Sequence, residues 1–312
     1  MGEYGVSGKD IKRTDTDDTE MGIQNIYTVK IPEGTSLIIM NQRITRMVTN
    51  NGGSVFQGIE SSSGRTLTIT LGSSKKPTDV IILKKSSAVE VKLARMAIII
   101  DDVGVRNLDS MKRFCALDQT VTLSILPFRP YTAHAVKISR DTQTPYMLHL
   151  PMQPKSSKAN PGEGVLLERD DRKTIHEKLE KAFKNVTGAK GFNNHMGSRA
   201  TENVRVMESV MEYLSKNNLF FVDSKTSLNT VGYNMSTKQG VKSAIIDGFL
   251  DVKNDRDDIE RRLTRLTDLA LQKGRVIVIG HDRPLTLSVL EQRLPELEKK
   301  GITFVPASDL IR

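Results

Sequence analysis

The chain has one cysteine, no tryptophan and only 5% aromatic residues. Cys115 has no partner for an internal disulfide, and its neighbours Phe114, Ala116 and Leu117 place it in a helix interior as a small apolar residue. No apolar run reaches the roughly 18 residues that a membrane span requires. Residues 1–25 mix charged and polar side chains without the apolar centre of a signal peptide. A Gly-rich strand-to-helix loop of the P-loop or dinucleotide type is also missing, which argues against a phosphate-binding enzyme. With so few aromatics, and with Lys and Arg spread through helical stretches rather than gathered in one arm, the net charge of +9 does not predict nucleic-acid binding. The same charge suits either an ordinary solvated surface or attraction to an anionic envelope or polymer.

A length of 312 residues exceeds a single core, so two domains are expected. Met1 to Asn25 reads as disordered, and fits equally the cut end of a longer, exported precursor. Residues 26–93 carry short alternating runs, Ile26 to Ile31, Val55 to Ile59, Thr66 to Leu71 and Val80 to Leu83, separated by Gly, Ser and Pro. Between the first two, Thr35 is placed to cap a helix whose apolar stripe is Leu37, Met40, Ile44 and Val48 and whose end is Gly52-Gly53. This predicts a small α+β domain. It has no His, no Cys and no convergent acids, and so reads as an interaction or spacer module.

From residue 94 onward, buried-type runs of four to six residues alternate with amphipathic helices, the pattern of parallel strands covered by helices. Strands are expected to begin near Met96, Val121, Tyr146, Lys190, Leu219, Ala244, Arg275 and Ile302. Helical spacing joins Ile175, Leu179, Phe183 and Val186, and again Ile259, Leu263, Leu266 and Ala270. The fold class predicted for residues 94–312 is α/β, an irregular (β/α) barrel of seven or eight parallel strands.

Catalytic groups of such barrels stand at the carboxyl ends of the strands. Five of the expected strands run into reactive side chains: Asp101-Asp102, His149, Asn193-Asn194-His195, Asp223 and His281-Asp282. The other histidines, His176 on a polar helix face and His134 after Pro130-Tyr131, read as solvent-exposed and structural respectively. Asp101 and Asp102 follow a buried strand and are expected to point to opposite sides, which allows them two roles; helix capping and turn formation are the plainer reading. One acid with His149 and His195 makes an open three-ligand metal set that leaves room for water and substrate.

These residues in this order resemble the divergent polysaccharide deacetylases, relatives of the NodB-like carbohydrate esterases. The resemblance lies in Ile98 to Gly104, Leu148-His149-Leu150-Pro151-Met152, Asn193 to Arg199, Val222-Asp223-Ser224, Gly280 to Pro284 and Gly301 to Pro306, and it covers about residues 95–312. It implies hydrolysis of an N- or O-acetyl group on an acetylated glycan or cell-envelope polysaccharide, with a divalent metal, zinc as first choice, and an extracytoplasmic location. By position it implies Asp101 as general base, Asp102 and His149 as metal ligands, and His281 as the acid that protonates the leaving group. Better-known relatives place a second histidine four residues after the first, where Gln153 stands here, and their Arg-Pro-x-Tyr stretch has no clear counterpart. His195 is therefore inferred to supply the missing ligand. Asp223 is expected to orient His281 or to bind substrate, or else to form a turn. A non-catalytic carbohydrate- or envelope-binding protein that keeps the fold and the site is the alternative.

Overall fold

The structure is a computed structural model and describes residues 8–15, 22–73, 76–89, 93–106 and 108–312. It divides into two compact units, Met1–Lys92 and Leu93–Arg312.

In the first unit, β1 (Ile11–Asp15), β2 (Asn25–Ile31), α1 (Leu37–Asn50), β3 (Gly53–Glu60), β4 (Thr66–Ser73) and β5 (Lys76–Lys85) form one sheet and one helix. The sheet order is β1-β2-β5-β4-β3. Only β2 and β5 run parallel. Leu37, Met40 and Ile44 on α1 pack onto Val29, Ile31, Leu67, Ile69 and Leu83. The cap is Ser36 rather than Thr35: its hydroxyl accepts the Ile39 amide at 3.4 Å. Gly52, at φ +80, turns the chain after the helix in a conformation that favours glycine.

Part of the segment expected to be disordered is a strand. Ile11–Asp15 pairs antiparallel with Asn25–Val29. All five of its residues are solvent-exposed, so no buried stripe marks it in the sequence, and backbone pairing alone defines it. The remainder of that expectation, over residues 1–7 and 16–21, lies outside the described residues.

The second unit has a strand followed by a helix in repeated succession. Its elements are β6 (Ala94–Val103), α2 (Asp109–Cys115), β7 (Thr122–Ile125), α3 (Thr132–Asp141), β8 (Tyr146–Met152), α4 (Arg172–Asn185) and β9 (Gly191–Met196). There follow α5 (Val204–Lys216), β10 (Phe220–Asp223), α6 (Gly232–Lys238), β11 (Ser243–Ile245), β12 (Gly248–Phe249), α7 (Arg256–Lys273), β13 (Arg275–His281), α8 (Pro284–Lys299) and β14 (Ile302–Phe304). The eight expected strands begin within two residues of their predicted positions, because each is an apolar run bounded by polar residues or a turn; β12 is the additional, unexpected strand.

All pairings in this sheet are parallel, in the order β11-β10-β9-β8-β7-β6-β13-β12. The two end strands, β11 and β12, are separated by only Ile246 and Asp247, whose amides bond Asp223 on one side and Ile277 on the other. One short stretch of chain thus serves both edges of a curled, barrel-like sheet. The sheet has nine strands, more than the seven or eight expected, and β14 is a partial one that pairs only with Ala94, Arg95 and Met96 at the start of β6.

Strand alternation separates two packing layers. Met96, Ile98 and Ile100 of β6 pack with the helices, together with Leu148, Phe192 and Phe221 from neighbouring strands. Ala97, Ile99, Met147, Val222, Ile277 and Ile279 form a second cluster on the inner side. Truncating a fully buried ring such as Phe192 to alanine is expected to cost about 3–5 kcal/mol. Continuing the inner parity past each cluster reaches Asp101, His149, Ser224 and His281, and the inner residues of β9 are Asn193 and His195.

Candidate metal centre

Three strand ends bring Asp102, His149 and His195 together, with one ligand atom from each lying within 4.8 Å of the others. His195 Nδ1 stands 3.1 Å from Asp102 Oδ1 and 3.1 Å from His149 Nε2, and His149 Nε2 is 3.4 Å from the same Asp102 oxygen. Although it is this close to two ring nitrogens, the buried Oδ1 of Asp102 has no well-angled hydrogen bond. His195 Nδ1 and His149 Nε2 are within hydrogen-bond distance of each other, and three potential ligand atoms gathered this closely make a donor set that fits a divalent cation.

Asp102 reaches this point through a backbone irregularity. The sequence predicts that Asp101 and Asp102 point to opposite sides, and continuing the parity of β6 would send Asp101 inward and Asp102 outward. The β6–β7 register shifts between Ile100 and Val103, and Asp102 adopts φ +64, a left-handed conformation that few non-glycine residues take. This bulge turns Asp102 back toward the inner side. Both carboxylates then approach His149 Nε2, at 3.5 Å for Asp101 Oδ2 and 3.4 Å for Asp102 Oδ1.

Asn193, which has no role assigned from the sequence, organises the interior of the site. Its Oδ1 lies 2.9 Å from His149 Nδ1 and also accepts from the Ser124 hydroxyl; its Nδ2 donates to Asp101 Oδ1 at 2.9 Å and to Ser224 Oγ at 3.2 Å. With Nδ1–H committed to Asn193, His149 presents the lone pair of Nε2 to the ligand point. The signal in the sequence is the inward parity that Asn193 shares with His195.

Burial disfavours ionisation of Asp102, but the His149 and His195 rings close to its carboxylate outweigh it and hold its carboxyl below the ordinary range. Burial pushes the Asp101 carboxyl up, against the pull of His149, His281 and Asn193. His149 suffers the same burial, yet the carboxylates of Asp101 and Asp102 raise its pKa on balance. For His195 burial prevails and the ring is shifted toward the neutral form.

His281 belongs to the inner set, and its ring Nδ1 lies 2.7 Å from Asp251 Oδ1. Asp251 is fully buried, and its second oxygen accepts the His281 amide at 2.9 Å and the Thr286 hydroxyl at 2.6 Å. Burial works against a charged imidazole, but the bond to Asp251 dominates and raises the His281 pKa.

The orienting acid is therefore Asp251 and not Asp223. Asp223 has the outward parity of β10, and its carboxylate accepts the Lys225 amide at 2.8 Å and the Thr230 hydroxyl at 2.7 Å. It shapes the turn after β10. Asp251 has no signal in the sequence because it follows β12, a strand of two residues without an apolar run of its own.

Gln153 is likewise committed to structure: its Oε1 accepts the Glu168 amide at 2.7 Å, and its carbonyl accepts the Arg199 and Ala200 amides, both at 3.0 Å. His176, expected on a polar face, is half-buried, with Nε2 3.0 Å from the Ser209 carbonyl and its ring against Tyr213.

Comparison with known proteins places the second unit in a family. The family model described as divergent polysaccharide deacetylase matches residues 98–311. The chain is 34% identical over 221 residues to the uncharacterized protein YibQ of Escherichia coli K12, covering 71% of this chain and 68% of that one. It is 32% identical over 204 residues to an uncharacterized protein of Haemophilus influenzae, covering 65% and 72%. The crystal structure of an uncharacterized protein of Agrobacterium tumefaciens C58 is similar in fold, with a TM-score of 0.67 at 23% identity over 70% of this chain and 89% of the other. With Asp101-Asp102, His149, His195 and His281 all within the matched span, the chain belongs to the divergent polysaccharide deacetylase family.

Proposed function

We propose that the chain is a metal-dependent hydrolase that removes acetyl groups from an acetylated sugar or glycan, with zinc as the metal and an extracytoplasmic place of action. The observation that carries this reading is the convergence of Asp102, His149 and His195, with Asp101 and the His281–Asp251 pair bordering the same point. Asp102, His149 and His195 would hold the metal. When bound there, a divalent cation polarises the acetyl carbonyl and makes water more acidic.

The remaining work falls to the protein's own groups. Asp101, fixed by Asn193, takes a proton from the water that adds to the acetyl carbon. His281, whose protonated form Asp251 favours, delivers its proton to the departing nitrogen or oxygen as the bond to the acetyl carbon breaks. Acetate and a free amine or hydroxyl leave. Gln153 is fully used in holding the Glu168 and Arg199 loops, so a ligand from His195 in its place is consistent with an active site.

The test is acetate release from N- and O-acetylated glycans by zinc-loaded protein, with metal content quantified in the same samples. Stoichiometric metal without acetate from any substrate would favour a carbohydrate-binding protein that retains the site.

A further inference from the structure

Five exposed apolar side chains of the second unit gather at the strand-exit end, where the metal centre lies. Leu228 is 89% exposed, Val252 60%, Val204 52%, Val105 43% and Tyr131 38%. Val105 follows β6, Tyr131 precedes α3, Leu228 follows β10, Val252 follows β12, and Val204 opens α5. Each is in a loop that leaves a strand, or at the first turn of the helix that comes next. Two of these loops are tied together by the Tyr131 amide on the Gly104 carbonyl at 3.2 Å, and Val252 is the neighbour of Asp251, which holds His281.

Cations stand beside the apolar groups. Arg106 follows Val105, Lys253 follows Val252, and Lys225 shares its loop with Leu228; all three are exposed. An exposed acid in the same loops, Asp255, has its carboxylate engaged on the Asp258 amide at the start of α7. Aliphatic side chains that reach the acyl boundary, with Lys and Arg at headgroup level, are the composition of a peripheral membrane surface. Sugar rings, by contrast, are usually met by aromatic platforms, and this rim has Leu and Val beside Tyr131.

We propose that the strand-exit face docks on an anionic lipid bilayer, so that the metal centre opens toward substrate held at the membrane surface. The docking is separate from the reaction and survives loss of the metal site. The net charge of +9 supplies long-range attraction, while the apolar rim fixes which face arrives.

The test is cosedimentation of the full chain with vesicles of phosphatidylglycerol mixed with phosphatidylcholine, and with phosphatidylcholine alone. Binding is expected only to the anionic vesicles and is expected to weaken in high salt. Leu228→Ser with Val252→Ser should lower partitioning on the order of tenfold, and Lys225→Gln with Lys253→Gln about tenfold or more. Lys173→Gln with Lys181→Gln, on the outer face of α4, should change it little, and His195→Ala should leave it unchanged even if no deacetylase activity is found. Equal losses from the α4 pair and the rim pair would mean general adsorption of a basic protein and would overturn the proposal. Absence of vesicle binding, with Leu228→Ser and Val252→Ser raising KM on a soluble acetylated glycan, would assign the rim to glycan instead.

Discussion

At the scale of single residues, the two adjacent aspartates differ in what they touch. Asp102 lies 3.1 Å from His195 and 3.4 Å from His149, whereas Asp101 is 3% exposed, accepts from Asn193 and lies 3.5 Å from His149. Asp101→Asn is expected to lower turnover on an acetylated sugar by on the order of 10² to 10⁴, the usual worth of a general base, with zinc content nearly unchanged. His195→Ala should lower metal content and turnover together, because two ligands hold a divalent cation poorly. An empty site in the Asp101 variant, with residual rate proportional to bound metal, would reverse the roles of the aspartates. Asn193→Ala removes the group that fixes the His149 tautomer and should weaken zinc binding about 10- to 100-fold, the usual effect of losing an outer partner. Competition against a chelating dye measures this directly, and unchanged affinity would mean that Ser124 and packing suffice to orient the ring.

At the scale of elements, strand parity decided which polar residues enter the site, and two interruptions of parity decided the rest. The bulge in β6 brought Asp102 inward against the alternation, a twist the residues Asp101-Asp102-Val103-Gly104 do not announce. The short β12 delivered Asp251 to His281 from a segment with no strand signal. This pair sets the expected pH dependence. As the proposed acid His281 would act in its protonated form, and with its pKa raised the active range should extend above the ordinary imidazole value. Asp251→Asn removes the charge that raises it, and the high-pH limb of the rate profile should move to lower pH with kcat reduced. The same linkage acts on stability: the contribution of the pair through His281 is present below the unfolded imidazole pKa and is lost as pH rises through the higher folded value. A profile that did not move in the Asp251 variant would remove His281 from the role of acid.

At the scale of the whole molecule, the proposed ligands Asp102, His149 and His195, the proposed base Asp101 and the His281–Asp251 pair all come from the unit Leu93–Arg312, which has its own core. That unit, expressed alone, should fold and bind zinc with the affinity of the full chain; loss of metal with the fold intact, read by circular dichroism and metal analysis, would show that the first unit contributes to the site. The sequence by itself determined the repeating strand and helix order and which polar residues end each strand, because these depend on local hydrophobic period and on the residues that end each apolar run. The placement of His149 and His195 on β8 and β9 was legible for that reason. Only the tertiary structure decided that Asp102 turns inward, that Asn193 is shared between His149 and Asp101, that Asp251 replaces Asp223 beside His281, and that Ile11–Asp15 is a strand. Each of these depends on a backbone irregularity or a partner distant in the chain, and neither leaves a period in the sequence.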